Sequence, residues 1–271
     1  MGSVPLAVGG FSKLFLKAGC KEVRVDGLNS FLQKLNKDSG VLTISNHVSV
    51  VDEPFMWGSI PLRNFLNPKA LRWTLGASDM MFNGKLDSWF FRKGQVIETF
   101  RGKGIYQDAI DLASKKLDEG NWVHIFPEGK IKQDTLTELR RFKWGVSRIL
   151  MECEKLPLIV PVWIKGFEQV MDEPRVSPHF VPNTGKNVTI LYGEPINSRI
   201  LPLLAEYREK FPQGWRPNSY EGSVAEDLEL EPEGLGDLRS RIACELREGL
   251  MGLGKRVGEV EKQEPGKIVG W

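Results

Sequence analysis

Two spacings of apolar residues alternate along the chain. Short runs rich in β-branched and aromatic residues recur at 21–25, 41–44, 95–98, 122–126, 158–163 and 187–192, which predicts strands there. The run Val41-Leu42-Thr43-Ile44 follows Gly40 without polar alternation, the pattern of a strand buried on both faces of a parallel sheet. Between and after these runs the spacing widens to that of a helix over 29–37, 105–118, 142–154 and 235–257. Pro54 suits the first turn of a further helical segment, where a missing N–H costs nothing. Strand and helix alternate and no repeat is visible. The chain therefore reads as a single α/β domain with a central, mostly parallel sheet flanked by helices. Its predicted parts are an N-terminal amphipathic segment over 1–20, an α/β core over 21–211, a polar, acidic loop over 212–234, and a C-terminal helix and tail over 235–271.

The segment 4–19 holds the apolar stretch closest to a membrane span, but it is short and interrupted by Gly9, Gly10, Lys13 and Lys17. No Ala-x-Ala pattern follows it, so a secretory signal fits poorly. Phe11, Leu14 and Phe15 share a helical face, which suits either a core-packing helix or a shallow interfacial one. Composition narrows the field further. The chain has 271 residues, 41% hydrophobic and 27% charged, which excludes collagen-like and wholly disordered classes. Lys and Arg number 37 against 35 for Asp and Glu, a balance that gives nucleic-acid binding no support. Cys20, Cys153 and Cys244 lie far apart, so neither a disulfide framework nor a metal site is expected.

Three histidines make the search for chemistry short. His179 lies between two prolines in a predicted loop and reads as structural or solvated. His124 shares a strand face with Trp122 and Phe126 and reads as a packed, neutral ring. His47 stands at the carboxyl end of the buried 41–44 strand, the edge where α/β sheets hold ligands. Asp52 follows at the mouth of the next helix, and a turn between the two would let the carboxylate hold one ring nitrogen. No Gly-x-Ser-x-Gly elbow or catalytic cysteine motif accompanies them, and nothing marks Ser49 as a nucleophile. The economical chemistry is His47 acting as base on a substrate hydroxyl. Three more blocks end at the same predicted edge: Phe126-Pro127-Glu128-Gly129-Lys130, the strand that delivers Arg101 and Gly102, and Val160-Pro161-Val162 with Lys165-Gly166 beyond it. A planar guanidinium suits a phosphate. Lys130, Lys132, Arg140, Arg141 and Lys143 concentrate positive charge after the Phe-Pro-Glu-Gly turn, either as an ordinary solvated face or as a surface for anionic headgroups. Trp57, Trp73, Trp89, Phe90, Phe91 and Trp144 fall in the same segments as core, groove or interface residues.

Four such blocks in this order resemble the glycerolipid acyltransferases, the family that includes lysophosphatidate acyltransferase. The resemblance implies that family's fold. It also implies His47 as base, Asp52 as its orienter, and a glycerophosphate site built from Arg101, Gly102 and the Phe126, Pro127, Glu128, Gly129, Lys130 turn. Within the family, SNHVSVVDEPFMWG, LRWTLGASDMMF, GQVIETFR, WVHIFPEGK, RRFKWGVSRILMEC and the fungal-type LRSRIACELR look most like the transacylases that remodel cardiolipin. The likeness covers roughly 11–247, and the front is shorter than such members lead one to expect. It implies acyl transfer from phosphatidylcholine or another phospholipid to lysophospholipids, monolysocardiolipin giving cardiolipin, with no cofactor. It further implies peripheral, monotopic binding to mitochondrial inner and outer membranes facing the intermembrane space. An acyl-CoA-dependent lysophospholipid acyltransferase needs the same base and phosphate site, so that reading stays open. A non-catalytic lipid-binding module is the third reading, opposed by the intact His47, Asp52, Arg101 and Glu128.

Overall fold

The computed structural model describes residues 3–35, 39–67, 70–133, 138–174, 180–217 and 230–260. His179 and most of the polar loop expected over 212–234 lie outside them. The elements in chain order are α1 (Ser3–Leu14), β1 (Cys20–Asp26), α2 (Leu28–Leu35), β2 (Val41–Ser45) and α3 (Asp52–Met56). Then follow β3 (Arg72–Ala77), α4 (Ser78–Met81), α5 (Lys85–Lys93), β4 (Val96–Thr99), α6 (Asp108–Asp118) and β5 (Trp122–Ile125). The last are α7 (Trp144–Glu152), β6 (Leu158–Lys165), α8 (Phe167–Val170), β7 (Lys186–Tyr192), α9 (Asn197–Lys210) and α10 (Leu235–Gly254), with a short helical turn after it. The seven strands form one sheet in the order β1-β7-β6-β2-β5-β3-β4. Pairing is parallel except between β6 and β7, so β7 and β1 run opposite to the other five.

The fold is three-layered because adjacent residues on a strand point to opposite faces. On β2, Leu42 and Ile44 join α6, α7, α9 and α10 in one buried cluster, while Val41 belongs to a second cluster with α2, α3 and Trp57. β6 divides in the same way, Ile159 and Trp163 against Val160, Val162 and Ile164. Every residue of β2 is buried, as its uninterrupted pattern predicts. The C-terminal helix buries Leu235, Leu238, Ile242, Leu246, Leu250 and Leu253 in the first cluster.

α1 corrects one alternative. Its packing face begins with Val4 and Pro5 and continues through small and polar residues: Gly9 lies so close to Phe65 that an added Cβ would stand 2.5 Å from that ring, while Ser12 and Lys13 are buried. Phe11 and Leu14 point outward, and Phe15 stacks on Phe55 at 4.5 Å. Core packing through the Phe11–Leu14 face is therefore not what the helix does. Pro54 is the third residue of α3, within its first turn.

Candidate active site

Asn46, the residue after β2, bonds both backbone groups of Ile164 on β6, accepting from N–H at 2.9 Å and donating to C=O at 2.8 Å. The loop that follows is thereby tied to the sheet. His47 Nδ1 lies 2.9 Å from Asp52 Oδ2, and the same oxygen accepts the amides of Val48 at 2.6 Å and Ser49 at 2.8 Å. Asp52 bends back over its own loop, the local side-chain-to-backbone bonding that favours Asp at helix starts. Its carboxyl group is fully buried. Burial pushes its pKa up, and the His47 ring together with the Ser49 and Val48 amides pulls the other way. With Nδ1–H donated to Asp52, Nε2 is the nitrogen left to take a proton. The Ser49 hydroxyl donates to the Met171 carbonyl at 3.1 Å, in keeping with its dismissal as a nucleophile.

The Phe-Pro-Glu-Gly turn closes against this loop. Gly129 N–H donates to Phe126 C=O at 3.0 Å, and Gly129 has φ +69°, a conformation that favours glycine. Glu128 is buried, and its two oxygens accept backbone amides from two loops, His47 at 3.1 Å and Arg140 at 2.8 Å. Burial raises its pKa against those amides and the nearby His47 and Lys132. Lys132 N–H donates to the His47 carbonyl at 2.8 Å, so both backbone groups of His47 are held by the segment after β5. Gln133 adds a third tie, donating to the carbonyls of Val48 and Met171. The Phe126 ring stacks on the His47 ring at 4.1 Å with 20° between planes.

Arg101 stands elsewhere on the same edge. It follows β4, the outermost strand, with β3 and β5 between it and β2, which at ~4.8 Å per strand is about 14 Å. Its guanidinium is half exposed and bonds Asp79 Oδ2 at 3.3 Å and Met80 Sδ at 3.0 Å. Gly102 has φ +84° with open space where a side chain would go. Lys130, Arg140 and Lys143 are exposed around the Glu128 turn, and Arg141 lies over the Trp144 ring at 5.6 Å. Among the described residues no group of three His, Cys, Asp or Glu is placed to hold a metal. The structure thus brings together His47, Asp52, Phe126 and Glu128, and keeps Arg101 at a distance. Sequence reasoning missed Asn46, Gln133 and the backbone work of Glu128, because each depends on a partner 80 or more residues away.

A family described as Acyltransferase matches residues 23–165. Tafazzin of Drosophila melanogaster is 41% identical over 202 residues, 73% of this chain and 52% of that protein. The chain thus spans about half the length of that relative. Tafazzin of Saccharomyces cerevisiae is 30% identical across 97% of this chain and 80% of its own length. N-acylphosphatidylethanolamine synthase of Arabidopsis thaliana is 34% identical across 76% and 75%. The crystal structure of the 1-acyl-sn-glycerophosphate acyltransferase of Thermotoga maritima superposes with a TM-score of 0.54 at 19% identity, over 93% of this chain and 79% of that one. That likeness is one of fold.

Proposed function

Since this chain belongs to the acyltransferase family, we propose that it is a phospholipid–lysophospholipid transacylase working at a membrane surface without acyl-CoA. His47 Nε2 takes the proton of the lysophospholipid hydroxyl as that oxygen attacks an ester carbonyl of the donor phospholipid. The tetrahedral intermediate then collapses, and the imidazolium returns the proton to the departing glycerol oxygen. Asp52 holds the tautomer and balances the imidazolium. Atoms balance with two lipids in and two lipids out, and no cofactor is consumed. The single observation that carries the reading is the His47–Asp52 pair, clamped by Glu128 and Lys132 at the carboxyl edge of the sheet.

In this reading, which rests on the resemblance of the motif blocks, monolysocardiolipin is the acceptor, cardiolipin the product and phosphatidylcholine a donor, at mitochondrial membranes facing the intermembrane space; two relatives named tafazzin agree with it at the level of the family. Arg101, Gly102 and the exposed cations around the Glu128 turn hold the lipid phosphates in this reading. Peripheral binding is supported by the surface. No helix among the described residues is long and apolar enough to cross a membrane. Yet Leu86 is 83% exposed, Trp89 55%, and Phe11, Leu14 and Leu66 are exposed as well. α1, which carries Phe11 and Leu14, packs on α3, whose first residue is Asp52, and on α5, which carries Leu86 and Trp89.

Liposomes carrying labelled phosphatidylcholine and lysocardiolipin, with and without acyl-CoA, test the proposal. Label should reach cardiolipin in the absence of acyl-CoA and stop in His47→Ala. Transfer that needs acyl-CoA would replace this reading by the acyl-CoA-dependent one.

A further inference from the structure

Strand alternation sets Trp122, His124 and Phe126 in a row on one face of the sheet. Trp57 meets Trp122 edge-on at 4.6 Å and His124 edge-on at 4.9 Å. His124 meets Phe126 at 4.6 Å with 90° between planes, and Phe126 lies flat on His47 at 4.1 Å. Five rings from three separate segments thus run in an unbroken column from the buried core to His47. Its inner end is fixed. His124 is fully buried, with Nδ1 2.9 Å from Thr43 Oγ1, and that hydroxyl also accepts the Trp122 indole N–H at 2.8 Å.

We propose that this column is a positioning device for His47, with Phe126 in direct contact and His124 acting through Phe126. A single hydrogen bond from Nδ1 to Asp52 fixes where the ring points but leaves it free to swivel about that bond. A flat partner removes the swivel. The face of an aromatic ring is also electron-rich and attracts a cation, so it favours the imidazolium over the neutral imidazole. That preference appears only once His47 has taken the acceptor's proton, so it lowers the barrier without tightening substrate binding. Among the described residues, Glu128, Asp52, Lys132 and the neutral His124 are the other polar and titratable groups shown to interact with His47. None of them covers its face as Phe126 does. The proposal gives Phe126 a role toward the base in place of one toward the lipid.

This inference rests on His47 as base, and two independent readouts separate the claims. The first is kinetic, on lipid vesicles. Phe126→Leu should lower kcat about tenfold, the scale of a desolvated cation–aromatic contact, with KM for both lipids within about twofold. Phe126→Tyr, which keeps the ring, should restore kcat. The second needs no activity: the His47 ring-carbon protons of histidine-labelled full-length protein should resonate upfield under the Phe126 ring current. That displacement should vanish in Phe126→Leu, persist in Phe126→Tyr, and weaken in His124→Gln, which loosens the column from behind and serves if the Leu variant folds poorly. Wild-type kcat in Phe126→Leu, or a loss confined to KM, would overturn the positioning role. Full activity in His47→Ala would instead overturn the base, while the ring-current displacement still reports whether the stack exists.

Discussion

Replacing His124 by Gln should change how stability depends on pH more than it changes stability itself at neutral pH. Burial, then the positive charge of Arg72 and the neighbouring His47, hold the His124 pKa well below its ordinary 6.5. The contact with Thr43 pulls weakly the other way. The sign follows from linkage: below pH 6.5 the unfolded chain binds a proton at His124 that the folded chain refuses, so stability falls as the pH falls. The slope approaches one proton, about 1.4 kcal/mol per pH unit. From pH 7.5 to 5 the loss is at most about 2 kcal/mol, the limit reached when the folded ring stays neutral throughout. Asp52, Glu128 and Glu152 act in the opposite sense, because burial raises their pKa values and the folded chain gains protons first on acidification. The wild-type curve alone therefore hides the histidine. Urea unfolding at constant ionic strength, compared between wild type and His124→Gln, isolates it, since groups common to both chains cancel to first order. The stability of wild type relative to His124→Gln should fall by up to about 2 kcal/mol on going from pH 7.5 to 5. A gap that stays constant would show that His124 is not the buried neutral ring described, and the reasoning would fail.

Asp52→Asn should leave the fold standing and lower kcat by about 10³ to 10⁴, because an amide fixes the wrong tautomer and cannot balance an imidazolium; melting curves and vesicle assays check both halves. Arg101→Lys should raise KM for phospholipid despite the retained charge, since the planar fork is lost, and equal kinetics would remove Arg101 from the phosphate site. Gly166→Ala should destabilise by about 2 to 4 kcal/mol, measured by urea unfolding: its φ is +99° and a Cβ would stand 2.0 Å from the Asn187 carbonyl oxygen. Trp89→Ser should weaken flotation with anionic vesicles at low salt while sparing stability, as its ring is mostly exposed; unchanged flotation would take α5 out of the membrane contact.

What was legible in the sequence and what was not follows from the range of the forces involved. β2 could be read because a strand flanked on both faces by helices needs no polar alternation, and all of its residues are buried. β3 escaped because Arg72 and Gly76 break its pattern; Arg72 is there to pair with Glu53 on α3, at 2.6 Å. α9 escaped because Pro202 sits inside it, yet Ile200, Leu203, Leu204 and Tyr207 bury enough apolar surface to hold the helix. The reversed direction of β7 is a pairing choice that no local pattern records. In the site, His47 and Asp52 were visible because their contact spans only five residues. Glu128 was visible as a residue but not in what it touches, because its partners are amides that carry no side-chain signature. The exposure of Phe11 and Leu14 was half visible: the apolar stripe was plain, but only Gly9 against Phe65 decides that the opposite face packs.

The strand order has a consequence for how the protein is made. β2 sits in the middle of the sheet, and its neighbours are β5 and β6, pairing Val41 with Trp122 and Leu158. A ribosome adding ~5 to 20 residues per second needs roughly 6 to 24 s to cover the distance from β2 to β6. For about the first two thirds of that interval, until β5 is made, a strand whose residues are all buried in the finished fold has neither edge paired, the kind of segment that seeks other chains. The same delay governs chemistry. Asn46 waits for Ile164, and the two backbone groups of His47 wait for Glu128 and Lys132. A nascent chain therefore carries His47 and Asp52 through more than a hundred further residues before the loop's last tie, to Ile164, can form, and competence arrives only when the middle of the sheet closes.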